Sequence, residues 1–195
     1  MKEAPTRRRL LQLSGGVLTV GLAGCLGSMQ SYNPFDAETD IDESSPIENR
    51  DRATTVERSS TEIRADGDVI VPTAFDLSGN IVAEGSVLVE RDADVDGSID
   101  AGEHVLLERD AEVDDDVRAG GRVVLREDAE VEGSIDAGDA VFVQHDTEVD
   151  GNVVAGGDVV LEGDATVDGD VTGATVDVAV TAGVRGSITE TGSED

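Results

Sequence analysis

An 18-residue period, held without a gap from Val69 to Gly173, limits what this chain can fold into more than any other feature of its sequence. Val87, Val105, Val123, Val141 and Val159 form one row, and Val89, Leu107, Leu125, Val143 and Leu161 form another two positions on. Ala93, Ala111, Ala129 and Ala165 form a third row, with Thr147 as its exception, followed by Val95, Val113, Val131, Val149 and Val167. Ile99, Val117, Ile135, Val153 and Val171 come next, then Ala101, Ala119, Ala137 and Ala155, closing on Gly173. Each period divides into three sixes with apolar residues at the first and third places and polar residues or glycine elsewhere. Strict alternation marks strands with one face buried. Three short strands per period, each ending at a corner, describe one coil of a three-sided parallel β-helix whose apolar rows stack inside. The fold class is therefore all-β, a single-domain parallel β-helix.

The pattern extends back through Val69, Val71, Phe75, Leu77, Ile81 and Ala83 to Ile63 and Ala65. Forward it loses one residue after Gly173 and resumes with Val176, Val178, Ala182, Val184, Gly186 and Ile188. Residues 61–190 thus give about seven coils of 18 residues, ~35 Å long at the spacing of adjacent strands. One coil cannot offset the entropy of ordering its own backbone, so stability must come from stacking. Gly79, Gly97, Gly133, Gly151 and Gly169 recur at one corner, where glycine permits a positive φ or a close backbone approach. Asp115 replaces glycine once, and aspartate tolerates left-handed geometry better than most residues.

A rod of this kind needs no large aromatic core, and the chain has three Phe, one Tyr and no Trp. Its formal charge of -30, from 44 acidic against 14 basic residues, excludes affinity for nucleic acid. Lys2 is the one lysine beside 13 arginines, a balance typical of salt-adapted proteomes. In molar salt the Debye length falls to about 3 Å, so crowded surface carboxylates cease to repel.

The first residues read as an address. Arg7 and Arg8 precede an apolar stretch from Leu10 to Ala23, and Leu22, Ala23 and Gly24 lead into Cys25, the single cysteine. This order resembles a twin-arginine signal that ends in a lipobox, so residues 1–24 read as a signal peptide and Cys25 as the lipid-bearing first residue of the mature chain. The competing reading is an uncleaved N-terminal anchor. Residues 25–60, acidic and without sustained apolar period, read as a flexible tether, and 191–195 as a polar tail. The expected location is the cell membrane, lipid-anchored, on its extracellular face.

Runs such as Val95-Asp96-Gly97-Ser98-Ile99 and Val131-Glu132-Gly133-Ser134-Ile135 resemble the bactofilin pattern of valine, any residue, glycine, any residue, isoleucine. The resemblance covers roughly Ile63 to Ile188. Bactofilins, and the haloarchaeal halofilins similar to them, imply nucleotide-independent polymers of right-handed β-helices that scaffold the membrane and influence cell shape. An export signal departs from most bactofilins. The hexad also partly fits the left-handed helix of many acyltransferases. The right-handed form is preferred because parallel crossovers are right-handed in about 98 % of cases, and because bulky Ile99 and Ile135 stand where the left-handed hexad wants a small residue.

Other chemistries find little in the sequence. His104 and His145 are the two histidines, one at a corner and one on an outer row, with no loop insertion to build a catalytic groove, so no enzyme activity and no cofactor are expected. The rows Asp92, Asp110, Asp128, Asp146, Asp164 and Asp96, Asp114, Glu132, Asp150, Asp168 stack oxygen ligands that hard cations favour, yet lack the paired-glycine nonapeptide of calcium β-rolls. Diffuse cation binding is the reading, not a defined metal site. Charge points instead to the ends. Coil 69–86 carries only Asp76 and Glu84, and Val176–Ile188 only Asp177 and Arg185, whereas coil 87–104 carries six acids and one arginine. Open β-helix ends that are not charged invite further strands. The candidate polymer ends are Val69, Val71 and Phe75 on one side and Val176, Val178, Val180, Val184 and Ile188 on the other. Self-association end to end is the expected partnership, and a non-polymerising lipid-anchored surface scaffold or adhesin is the alternative.

Overall fold

The computed structural model describes residues 46–47, 50–56 and 62–192, all within a compact unit spanning 40–195. The signal residues Arg7, Arg8, Leu22, Ala23 and Gly24, and Cys25 itself, lie outside the described residues.

Among the described residues every regular element is a short strand, and these strands assort into three parallel sheets of eight, seven and eight. One coil shows the plan. Val87–Val89 lies in the first sheet, Asp94–Val95 in the second and Ile99–Ala101 in the third, after which the chain returns to the first sheet at Val105–Leu107. Each rung pairs with the next in a constant register, Val87 with Val105, Val95 with Val113 and Ile99 with Val117. This is a β-solenoid of about seven turns, as the period predicts. After Gly173 the register tightens, so that Val159 pairs with Val176 and Val171 with Ile188. The missing residue falls in the corner between the third and first sheets, where Ala174-Thr175 does the work of Gly156-Gly157-Asp158. A Cβ on Gly173 would lie 2.8 Å from Val159 Cγ2, so only glycine fits this tightened bend.

The six interior rows form one continuous core, and Val87, Val89, Val95 and Ile99 are wholly buried. Thr147, the exception in the alanine row, is buried as well, with its hydroxyl 3.3 Å from the Arg126 carbonyl and 3.4 Å from that of His145.

The three corners are solved differently. Between the first and second sheets the chain makes a four-residue turn closed by the Ala93 N–H on the Glu90 carbonyl at 3.2 Å. Its third residue is left-handed: Asp92, Asp110, Asp128, Asp146 and Asp164 have φ between 57° and 62°. Aspartate bears this conformation better than most residues, and that is the structural role of the row. The glycine corner between the second and third sheets works otherwise. Gly97, Gly133, Gly151 and Gly169 do not have left-handed φ. They are glycine because a Cβ would fall 2.4 to 2.6 Å from the previous coil. Asp115 at this corner is exposed and not left-handed, so the expectation of left-handed geometry there is corrected.

The same corner carries a ladder of side-chain caps. Asn80 Oδ1 accepts from Ser98 N–H at 3.0 Å, Asp116 Oδ1 from Ser134 at 3.0 Å, Ser134 Oγ from Asn152 at 3.1 Å and Asn152 Oδ1 from Asp170 at 2.8 Å. These side chains satisfy backbone donors of the following coil where the strands are interrupted.

Candidate functional site: two ends and three outer faces

The two ends of the solenoid are finished unequally. At the N-terminal end Thr54–Thr55 adds a strand to the first sheet, pairing with Val69 and Ile70, and Glu62–Ala65 begins the third. Val56, only 3 % exposed, closes over the core. Val69 and Val71, read from sequence as end residues, are therefore wholly buried one rung inside the end, while Phe75 is partly buried against the core. Strand Thr54–Thr55, Val56 and Ile47 belong to this fold although 25–60 reads as tether. The signal missed was the apolar pair Ile47 and Val56, too sparse to carry a period.

At the C-terminal end the last rungs of the three sheets are Val176–Val178, Gly183–Val184 and Ile188–Glu190. Among the described residues no strand pairs with their outer edges. Val176, Val178, Ala182 and Val184 continue the interior rows, but they are only partly buried, and Ile188 is 50 % exposed. Val180 is fully exposed at the final corner. The Val176 N–H is taken by Glu190 Oε1 at 3.0 Å, so one side chain spans part of this edge.

The outer faces differ as much as the ends. The second sheet carries Asp76, Asp94, Glu112, Glu130 and Glu148 in register, beside the corner ladder Asp96, Asp114, Glu132, Asp150 and Asp168. Asp94 Oδ1 is buried without a hydrogen-bond partner. Burial first, then the charges of Asp96, Glu112, Asp114 and Asp76, push the Asp94 carboxyl up to about 6. Glu112 and Glu130 are raised for the same reasons, burial and then acidic neighbours. Carboxylate oxygens of Asp94, Asp96 and Asp114, and of Glu112, Asp114 and Glu132, lie within 4.8 Å of one another and present ligands of the kind hard cations take. Of the two acidic rows singled out in the sequence, the Asp96 row joins these groups and the Asp92 row does not. The Asp94 row was missed because it occupies the polar place of a two-residue strand.

The first sheet is apolar on its outside too. Ile70, Leu88, Leu106 and Val124 are buried there, with Ile47 and Ala53 packed against them and Phe142 partly buried at the edge of the cluster. This corrects the reading that each hexad is polar between its apolar places: in the first sheet the second place is apolar as well. The uninterrupted triplet Val87-Leu88-Val89 was the available signal, since a strand buried on both faces reads as a continuous apolar run.

The two histidines are not brought together. His104 Nδ1 accepts the Arg122 N–H at 3.1 Å in a corner ladder that begins with Asp68 Oδ1 on the Ser86 N–H at 2.9 Å. His145 lies at a different corner, with Nδ1 2.8 Å from Glu162 Oε2. No described helix is long and apolar enough to cross a membrane.

Stacked interchangeable rungs with one open end are the architecture of a structural repeat protein. Residues 58–140 and 106–189 each match the bactofilin family, described as polymer-forming cytoskeletal, and the chain belongs to that family. The two matches overlap, as expected when one pattern is laid along rungs that repeat. No curated protein and no solved structure matches the chain.

Proposed function

We propose that the protein is a non-enzymatic scaffold that self-associates end to end through its C-terminal coil, works at the membrane and contributes to cell shape. The open C-terminal end carries this reading. Its rungs leave strand edges and interior-row valines half covered, and Asp177 and Glu190 against Arg185 leave it far less charged than the middle coils. Unprotected edges of this kind recruit further strands. The membrane part rests on Leu22-Ala23-Gly24-Cys25 and the arginines before it: lipid on Cys25 would hold the scaffold at the extracellular face, and the mass of the membrane-bound chain tests this. An intact Met1–Gly24 segment would remove the anchor. The acidic second sheet would hold cations as a diffuse cloud.

Negative-stain microscopy of the protein in high salt tests assembly. The wild type forms filaments, and the double variant Val180→Asp/Thr181→Asp remains single rods with unchanged strand content. Thr181 Oγ1 accepts the Asp164 N–H at 3.1 Å, and aspartate keeps an acceptor there, so the monomer is preserved. Filaments that persist in the variant, or a wild type that stays single, would favour a lone surface scaffold or adhesin.

A further inference from the structure

The first strand of the solenoid does not keep its period. From Val69 to Gly173 the rungs pair 18 residues apart, as Val69 does with Val87, whereas Thr54 pairs with Val69 and Thr55 with Ile70, 15 residues apart. Thr54–Thr55 is thus a piece laid on the end and not a regular coil. The first complete turn beneath it runs through Glu62–Ala65, Val69–Val71 and Asp76–Leu77, one strand from each sheet. It is the counterpart of the last complete turn, Val176–Val178, Gly183–Val184 and Ile188–Glu190, which is open.

The added piece is held by contacts made once each. The Thr54 N–H donates to the Asp68 carbonyl at 2.8 Å, and the Val56 N–H to the Ile70 carbonyl at 2.9 Å. Val56 lies over the core, and Ile47 joins the apolar row outside the first sheet. Between them Arg50 Nη1 bonds Glu90 Oε1 at 2.7 Å, on a carboxylate whose Oε2 accepts the N–H and the hydroxyl of Thr73, both at 3.1 Å. A middle coil, by contrast, is tied to its neighbours in all three sheets. Segments with the fewest such ties are the first to open.

We propose that residues 50–56 are a gate over a second assembly surface, the turn Glu62–Leu77, which takes another copy of this chain once the gate lifts. The inference rests on the end-to-end reading above. A linear polymer of rods joined at their ends uses both ends of every rod. While the gate is shut only the C-terminal end is open, and identical open ends that meet each other close a two-fold pair that cannot grow. Lifting Thr54–Val56 frees the strand edge of Val69–Val71 and uncovers Val69, Val71 and Leu77, all wholly buried when the gate is shut. Ile63, Ala65 and Phe75, already only partly buried, complete that surface. It is then built as the C-terminal end is built, from strand edges around interior-row side chains. The step from pairs to filaments is therefore governed by Ile47, Arg50 and Val56, and the step from single rods to pairs by the C-terminal coil.

A reversible lock tests the gate in the full chain at high salt. Cys25→Ser removes the native thiol, and Thr55→Cys/Ile70→Cys places two cysteines on in-register neighbouring strands, whose spacing of ~4.8 Å suits a disulfide. Circular dichroism confirms that the variant is folded in both redox states. Negative-stain microscopy is expected to show particles no longer than two rods when the lock is oxidised, and filaments after dithiothreitol. A second variant needs no disulfide: Arg50→Glu sets like charges against each other at Glu90 and is expected to lower the protein concentration at which filaments first appear at least threefold. Filaments from the oxidised lock, pairs in both redox states, or an unchanged threshold for Arg50→Glu would overturn the gate and leave the C-terminal contact standing. Single rods in both redox states would overturn the end-to-end reading itself, and the gate with it.

Discussion

The outsides of the first and second sheets share the same rungs, only a few residues apart in each coil, and carry opposite chemistry. Leu88 and Asp94 both point away from the core, yet Leu88 is wholly buried under other side chains while Asp94 sits in a ladder of like charges. The interior rows accept almost nothing but aliphatic residues, whereas an outer row can be apolar or anionic without altering the strand it sits on. The solenoid therefore separates two tasks: inner rows specify the fold, and outer rows specify what each side can meet.

Truncation should separate the faces most sharply. Leu88→Ala removes a fully buried side chain and is expected to cost ~2 to 5 kcal/mol in urea unfolding at high salt, the usual penalty for such a cavity. Glu112→Ala on the second sheet should leave stability unchanged or raise it. If Leu88→Ala costs no more than Glu112→Ala, the first sheet's outer row is an ordinary surface and the contrast fails.

Salt dependence comes next. Carboxylates about 4.8 Å apart repel by on the order of 1 kcal/mol per neighbour in dilute solution. Circular dichroism through a salt titration should show strand signal lost at low salt, and the triple variant Asp94→Asn/Glu112→Gln/Glu130→Gln should need markedly less salt to fold. Full recovery of the wild type by micromolar calcium alone would point instead to defined sites at the two carboxylate trios.

The smallest effect is a pH profile. Asp94 holds its proton up to about 6 in the folded protein, whereas its ordinary value is 3.8. Between these values the folded state binds more protons than the unfolded one, so this group adds stability as pH falls and withdraws it as pH rises through 6. Asp94→Asn should raise the melting temperature by ~2 to 4 °C at pH 7, and the advantage should vanish near pH 4. An advantage equal at both values would mean that the variant acts through packing and not through charge.

How far the sequence reveals all this follows from what repeats. The interior rows were legible because their apolar places recur every 18 residues with few departures, such as Thr147, and even the lost residue after Gly173 could be placed. The second apolar row was as regular, from Ile70 to Val160, but a three-residue strand is too short for periodicity to distinguish one buried face from two. The left-handed aspartates were visible as a row, yet the row alone does not separate a turn requirement from a ligand set. The closure of the N-terminal end was hidden for a different reason. Thr54–Thr55, Val56 and Ile47 occur once each, and a contact made only once leaves no pattern to read.

The uniform rung has a consequence for how such a gene can change. From Val69 to Gly173 every coil has the same length, and each row runs on into the next. Unequal recombination that duplicates or deletes one whole repeat therefore yields a protein in which every interior side chain still finds its row. A slip of a single residue inside a strand would turn all later side chains to the opposite face. The coil after Gly173 takes up its lost residue in a corner, so the strands that follow keep their faces. Rod length is thus a trait that inheritance can alter in discrete steps, leaving selection to choose among lengths without reinventing the fold.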